Sequence, residues 1–155
     1  MRNVLLTFFL LFILFSPGNK LEGKNITVSL RKDISEQLVT ANTNYIIKCP
    51  IDLHGETIII PPGCSLSFKR KGVLKNGTIV FQNTQLRDRS RYAFFEKCSF
   101  GGQLYAGSYR ISKFGVIADG VHDDAQIINQ VLDCIAGNGS ELIFDCDGYY
   151  GVSSQ

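Results

Sequence analysis

The sequence predicts a mainly β protein that carries one amphipathic helix. Between residues 45 and 113 the apolar residues occur in short runs, and Gly, Pro or Asn residues separate these runs. Short β-type runs bounded by turn residues are typical of strands in an all-β domain. No apolar repeat of helical spacing interrupts them before residue 124. A chain of 155 residues, 45% of them hydrophobic, is long enough for one domain with a sizeable core.

Two β architectures fit the pattern of residues 45–113. Asn76-Gly77 could close a two-residue hairpin, which favours an antiparallel β-sandwich. Very short strands joined by tight turns also suit a parallel β-helix, in which each coil stacks on the one before it. The segments IDLHGETIIIPPGCSLSF and GVLKNGTIVFQNTQL share a rhythm but no strict repeat. The pattern alone leaves both architectures open.

The N-terminus has the features of a secretory signal peptide. A basic residue, Arg2, precedes an apolar run over residues 4–15, and small residues follow it. The run is shorter than the about 20 residues that span a bilayer. We therefore predict a signal peptide at 1–18, no stable membrane span after its removal, and an exported protein (secreted, periplasmic or on the cell surface). Residues 19–44 are polar and weakly patterned, with a short helix conceivable around 32–39.

Charge and cysteine spacing exclude several functional classes. The formal net charge is only +2 and the longest basic run has three residues, so no nucleic-acid partner is expected. The five cysteines show no Cys-x-x-Cys or Cys/His metal signature, and we expect neither a metal site nor a cofactor. Buried free thiols are favoured and disulfides are the alternative, with the pairing open, among Cys49, Cys64, Cys98, Cys134 and Cys146.

The densest group of chemically active residues is DGVHDD, residues 119–124, directly before the amphipathic segment. Apolar residues at helical spacing predict a helix over 124–136. Asp123 is placed to cap its first turn, and Asp124 to interact with the positive end of its dipole. Gly120 permits the sharp turn before the cap.

We therefore predict that Asp119, Gly120, Asp123 and Asp124 form a structural cap, and that no residue of this chain is catalytic or holds a cofactor or metal. Two alternatives stay open for the same cluster. One is catalysis by Asp119, His122 or Asp124, which would need paired carboxylates across a cleft or a histidine held by an acid. The other is cation binding by Asp119 and Asp123.

Residues 114–154 resemble the beginning of the pectate lyase superfamily domain, which is found in polygalacturonase-like and rhamnogalacturonase-like proteins. An ordered series of motifs carries the resemblance: Phe114-Gly115, Asp119-Gly120-Val121, Asp123-Asp124, Gly137-Asn-Gly139, Leu142-Ile-Phe144 and Gly148-Tyr149-Tyr150. The resemblance implies a right-handed, single-stranded parallel β-helix of the pectin lyase-like type, with one N-terminal capping helix. It divides the chain into a short-strand β region at 45–113 and a truncated β-helix beginning at 114–155. In the family, catalytic residues lie on later coils.

Two functions follow as expectations. The chain is expected to be the N-terminal fragment of an exported polysaccharide-degrading protein, glycosidase-like or lyase-like, and inactive by itself. The alternative is a non-catalytic module for carbohydrate binding, adhesion or assembly. A polysaccharide is a candidate partner, and the open end of the β-helix could also self-associate. Six tyrosines could stack on sugar rings, although core packing is the more frequent role of such residues: Tyr45, Tyr92, Tyr105, Tyr109, Tyr149 and Tyr150.

Overall fold

The computed structural model describes residues 23–69, 71–87 and 92–152. The predicted signal peptide, residues 1–18, lies outside these ranges. Within them, no helix is long and apolar enough to cross a membrane.

Nine strands of three to five residues and two longer ones, β6 and β7, dominate the described chain: β1 (Asn25–Thr27), β2 (Asn44–Ile47), β3 (Pro50–Asp52), β4 (Thr57–Ile59), β5 (Ser65–Phe68), β6 (Val73–Arg87), β7 (Phe95–Leu104), β8 (Ser108–Arg110), β9 (Asp119–Asp123), β10 (Glu141–Ile143) and β11 (Tyr149–Gly151). The helices are α1 (Ile34–Gln37), a 3₁₀ turn (Ile111–Phe114) and α2 (Ala125–Ile135). The helix expected at 124–136 is confirmed to within a residue at each end.

The strands form a parallel β-solenoid of about four turns. In one column β1 pairs with β2, β2 with β5, and β5 with the end of β6. In a second column β3 and β4 pair with β6, and β6 pairs with β7. Paired positions lie one coil apart in sequence, as Tyr45 and Leu66 do in the first column. The shared rhythm of the two segments is therefore the spacing of successive coils.

The antiparallel sandwich is wrong, because every strand pair among the described residues is parallel. Asn76 and Gly77 lie inside β6 and close no hairpin. Asn76 has φ 55°, a left-handed conformation that asparagine tolerates better than most residues. Here that conformation bends the strand at a corner of the solenoid.

The same corner recurs on successive coils. Non-glycine residues with a positive φ recur there at intervals of 21 or 22 residues, namely His54, Asn76, Lys97 and Ala118, and Gly55 beside His54 also has a positive φ. At the first of these corners the Asp52 carboxylate accepts the backbone N–H of His54 and an amide N–H of Asn76 from the next coil. The carboxylate therefore fixes the corner and ties two coils together.

Aromatic rings stack inside the solenoid. Phe95, at the centre of this core, is fully buried and contacts five other rings at centroid distances of 5.1–6.3 Å. Those rings belong to Phe68, Phe81, Phe94, Phe100 and Phe114.

The solenoid begins well before residue 114, where the sequence predicted the β-helix to start. β1 and α1 both lie in the stretch 19–44 that looked weakly structured, and β1 pairs with β2 as part of the first coil. Helix α2 packs against β7, where the Gln130 side chain accepts the backbone N–H of Phe100. The right-handed sense of the solenoid stays a prediction.

Candidate functional site

The carboxylate of Asp119 organises the turn that opens the DGVHDD cluster. Its Oδ1 accepts the backbone N–H groups of Val121 and His122, and its Oδ2 lies 2.6 Å from His122 Nδ1. These backbone bonds, followed by the bond from the His122 ring, lower the pKa of Asp119 to about 2. A carboxylate held in this way is ionised and fixed in position, and it orients the imidazole at the surface.

The lowered pKa of Asp119 predicts a loss of stability in acid. The folded pKa of about 2 lies below the ordinary value of 3.8, so the stabilisation is present above pH 3.8 and disappears as the pH falls through 2. We expect the urea midpoint of the Asp119→Asn variant to fall less steeply than that of the wild-type chain between about pH 5 and 2. Equal slopes in the two proteins would contradict this role for Asp119.

Asp124 holds a different part of the cluster. It is 2% exposed, and its two oxygens accept the backbone N–H groups of Ile117 and Ala118, each at 3.0 Å. The residue directly before the helix is Asp124, whereas the sequence pointed to Asp123. The Asp124 carboxylate turns back onto the 117–118 loop and makes no capping hydrogen bond to the first turn of the helix.

Asp123 and Gly120 complete the cluster. Asp123 Oδ1 accepts the N–H of Ala125, the first residue of α2. Gly120 has φ 74°, and a Cβ there would lie 3.2 Å from the Cβ of Tyr149 on the neighbouring strand. Asp119 and Asp123 thus already accept backbone hydrogen bonds. Among the residues that the structure describes, no three His, Cys, Asp or Glu side chains are grouped to hold a metal ion.

The five cysteines are free thiols, as the sequence favoured. Cys64, Cys98 and Cys134 are buried, and desolvation raises the pKa of each, to about 11 for Cys134. Cys49 and Cys146 are half-buried. High pKa values and burial make the three buried thiols poor nucleophiles.

An open cleft of about 360 Å³ lies along one side of the solenoid, and we call it the Tyr92 cleft. Its lining comes from three successive coils: Pro50, Lys71, Gly72, Val73, Lys75, Tyr92, Ala93 and Glu96. Tyr92 is 61% exposed, and Lys75 Nζ forms an ion pair with Glu96 Oε2 at 2.7 Å. Gly72 is required in this wall because a Cβ there would lie 2.1 Å from the Ile47 carbonyl oxygen.

A buried cation supports the Tyr92 cleft from behind. Lys113 Nζ donates to the backbone carbonyl of Tyr92 and lies 5.3 Å from the centre of the Phe94 ring. The contact to an aromatic face and the carbonyl together stabilise an ammonium group away from water. Lys113 therefore fixes the backbone that presents the Tyr92 ring.

A wider cavity of about 590 Å³ lies between residues 29–34 and 50–56. Two of its three carboxylates have structural roles. Asp33 accepts the Ser35 N–H and caps α1, and Asp52 fixes the corner at His54. These backbone hydrogen bonds lower the pKa of both groups.

The structure separates the six tyrosines into two groups. Tyr45 and Tyr109 are buried, which excludes them from stacking on a sugar, and Tyr150 is half-buried. Tyr92, Tyr105 and Tyr149 present exposed rings. Only Tyr92 of these three lines the Tyr92 cleft.

Sequence reasoning missed the Tyr92 cleft. Its residues are far apart in the chain, and the signal that could have revealed it is the coil spacing. Lys75 and Glu96 are paired positions on neighbouring coils, and Lys71 and Tyr92 have the same separation in the sequence. That spacing is only recognisable once the strands are known to stack in parallel.

The fold and these clefts define the chain as a parallel β-solenoid with an aromatic and basic cleft on its side. No family model, curated protein or solved structure matches it.

Proposed function

We propose that this protein is an exported, pectate lyase-like β-helix protein that binds an acidic polysaccharide in the Tyr92 cleft without cleaving it. The observation that carries the proposal is the exposed ring of Tyr92 beside Lys71 and Lys75 in an open cleft. The resemblance of residues 114–154 to the superfamily supports the same substrate class.

The chemistry of the cleft suits a sugar acid. An aromatic ring offers an apolar face for stacking and loses little conformational entropy when it binds. The exposed Lys71 ammonium group attracts carboxylates and contributes modestly, whereas Lys75 is already paired with Glu96. Because neighbouring coils are about 4.8 Å apart, the three coils present their side chains over about 10 Å along the axis. An extended polymer can follow that direction.

Binding without cleavage fits the placement of the acids. Hydrolysis of a glycosidic bond generally uses two carboxyl groups on either side of the bond, about 5–9.5 Å apart. Of the described residues that line the Tyr92 cleft, only Glu96 is acidic, and it is paired with Lys75. Asp119 accepts backbone N–H groups within the DGVHDD cluster, and Asp124 accepts those of the preceding 117–118 loop.

The Tyr92→Ala variant tests this function. We expect it to weaken binding of polygalacturonate about tenfold, since loss of one stacking contact costs about 1 kcal/mol or slightly more. Lys71→Ala should weaken it about threefold, and added salt should reduce that difference. Affinity electrophoresis in gels with and without the polymer measures both effects.

Tyr105→Ala is the matched control, because this tyrosine is also exposed but does not line the cleft. It should bind as the wild-type chain does. The proposal fails if the wild-type protein does not bind polygalacturonate, if Tyr105→Ala loses as much affinity as Tyr92→Ala, or if the purified chain releases new chain ends from the polymer.

A further inference from the structure

Two lysines of neighbouring coils occupy matching positions at a corner of the solenoid. Ile47 of β2 is paired with Phe68 of β5. Lys48 and Lys69 are the next residues on these two coils, and both are exposed. The alignment continues past the strands, because the Lys69 N–H donates to the Ile47 carbonyl at 2.9 Å. Two like charges are therefore carried by neighbouring backbone positions, about 4.8 Å apart along the axis.

The charges on the adjacent face of the solenoid are arranged differently. There Lys75 is paired in register with Asp52 on one side and with Glu96 on the other, so that the sign alternates from coil to coil. Opposite charges across strands stabilise a sheet, and like charges directly opposite each other destabilise it. In the part of the chain that the structure describes, no ion pair involves Lys48 or Lys69. The stability of the fold therefore does not explain this pair of cations.

The lysine pair is continuous with the Tyr92 cleft. Lys71, which lines the cleft, lies two residues beyond Lys69. The Gly72 N–H donates to the Lys69 carbonyl and closes the turn that contains Lys71. Lys71 is exposed as well, and it forms no ion pair with any described residue. We call Lys48, Lys69 and Lys71 the lysine ridge.

The lysine ridge leads along the axis away from Tyr92. Lys71 lies one coil before Tyr92, and Lys48 lies one coil before Lys69. With about 4.8 Å between coils, the ridge ends about 10 Å along the axis from Tyr92. An extended polymer with one ring stacked on Tyr92 that runs toward the start of the solenoid passes Lys71 and Lys69 first and Lys48 last. It meets at least one cation on each coil.

We infer that the lysine ridge is a second anion subsite, which binds the carboxylates of the sugars that follow the one on Tyr92. The inference rests on the proposed function of the Tyr92 cleft and adds its specificity. The site selects a run of consecutive acidic sugars over acidic sugars that are spaced apart. A carboxylate that binds beside Lys48 and Lys69 weakens the repulsion between them, so this pair favours the bound state over the free protein.

Two partly methyl-esterified polygalacturonates of equal total charge test this specificity. One has its free acids in blocks, and the other has them at random positions. We expect the wild-type chain to bind the blockwise polymer about tenfold more tightly, because two additional exposed ion pairs contribute about threefold each. The double variant Lys48→Gln, Lys69→Gln should bind both polymers alike, and about 1 M salt should remove the preference of the wild-type chain. Affinity electrophoresis in gels that contain either polymer measures these differences.

The double variant Lys24→Gln, Lys32→Gln is the matched control, because it removes the same charge from exposed lysines outside the ridge and the cleft. It should keep the preference for the blockwise polymer. Tyr92→Ala should weaken the binding of both polymers and leave the preference unchanged. The urea midpoint of the Lys48→Gln, Lys69→Gln variant at low salt should equal or exceed that of the wild-type chain, since the substitutions remove a like-charge repulsion.

The outcomes separate this inference from the proposed function. If the wild-type chain binds neither polymer, both are overturned. The lysine ridge alone is overturned if Tyr92→Ala weakens binding but the wild-type chain binds the two polymers equally. It is also overturned if Lys48→Gln, Lys69→Gln keeps the preference, or if Lys24→Gln, Lys32→Gln loses it.

Discussion

The Phe95→Ala variant is expected to lose about 3–5 kcal/mol of its free energy of unfolding. The Phe95 ring has no exposed surface and touches five other phenylalanine rings, which come from its own coil and from neighbouring coils. Its removal takes away the buried ring and leaves a cavity among rigid aromatic neighbours that cannot close around it. Urea denaturation followed by circular dichroism measures the change.

Phe144→Ala is the matched control for this variant. Phe144 is exposed and has an edge-to-face contact with Tyr150, so its replacement should cost about 1 kcal/mol. A loss in Phe95→Ala no larger than that in Phe144→Ala would mean that the phenylalanine stack is not the centre of the core.

The second large effect is expected from Asp124→Ala, about 3 kcal/mol of destabilisation. Removal of this buried carboxylate leaves the N–H groups of Ile117 and Ala118 without their acceptors. The Ala118 N–H is buried, and a buried donor without a partner costs about 1–3 kcal/mol, whereas the Ile117 N–H is partly buried and contributes less. The same denaturation experiment measures it, and the loss should appear whether or not polysaccharide is present.

The Asp123→Ala variant tests whether the cluster stabilises the protein mainly through the 117–118 loop or mainly by capping α2. The Asp123 carboxylate accepts the exposed N–H of Ala125 at the start of α2. Its removal should lower the free energy of unfolding by about 1 kcal/mol. If Asp123→Ala is the more damaging of the two, the cluster mainly caps the helix and the 117–118 loop contributes little.

Local patterns predicted the elements of this fold well. The apolar stripe of α2 follows from the spacing of Ile128, Val131 and Ile135, and the short strands follow from their flanking Gly, Pro and Asn residues. Both signals depend on neighbours in the sequence. That is why the bounds of α2 were predicted to within a residue.

The arrangement of the strands depended on contacts that no local pattern contains. Asn76-Gly77 has the residues of a hairpin turn, yet it forms a corner because Asp52 one coil earlier holds the Asn76 side chain. β1 was missed because three residues without apolar alternation become a strand only when β2 is beside them. The sequence predicted that the Asp124 carboxylate interacts with the helix dipole. Its hydrogen-bond donors are instead the backbone N–H groups of Ile117 and Ala118, in a loop whose path the sequence does not specify.

The spacing of the coils also constrains how such a chain can change its length. Each coil contacts mainly the coils on either side of it, so gain or loss of one whole turn would preserve the neighbours of every remaining strand. A single residue inserted within β6 would instead exchange its inner and outer faces and expose Ile79 and Phe81. Evolution of this architecture should therefore proceed by duplication or deletion of segments of about one coil, and small insertions should accumulate at the corners.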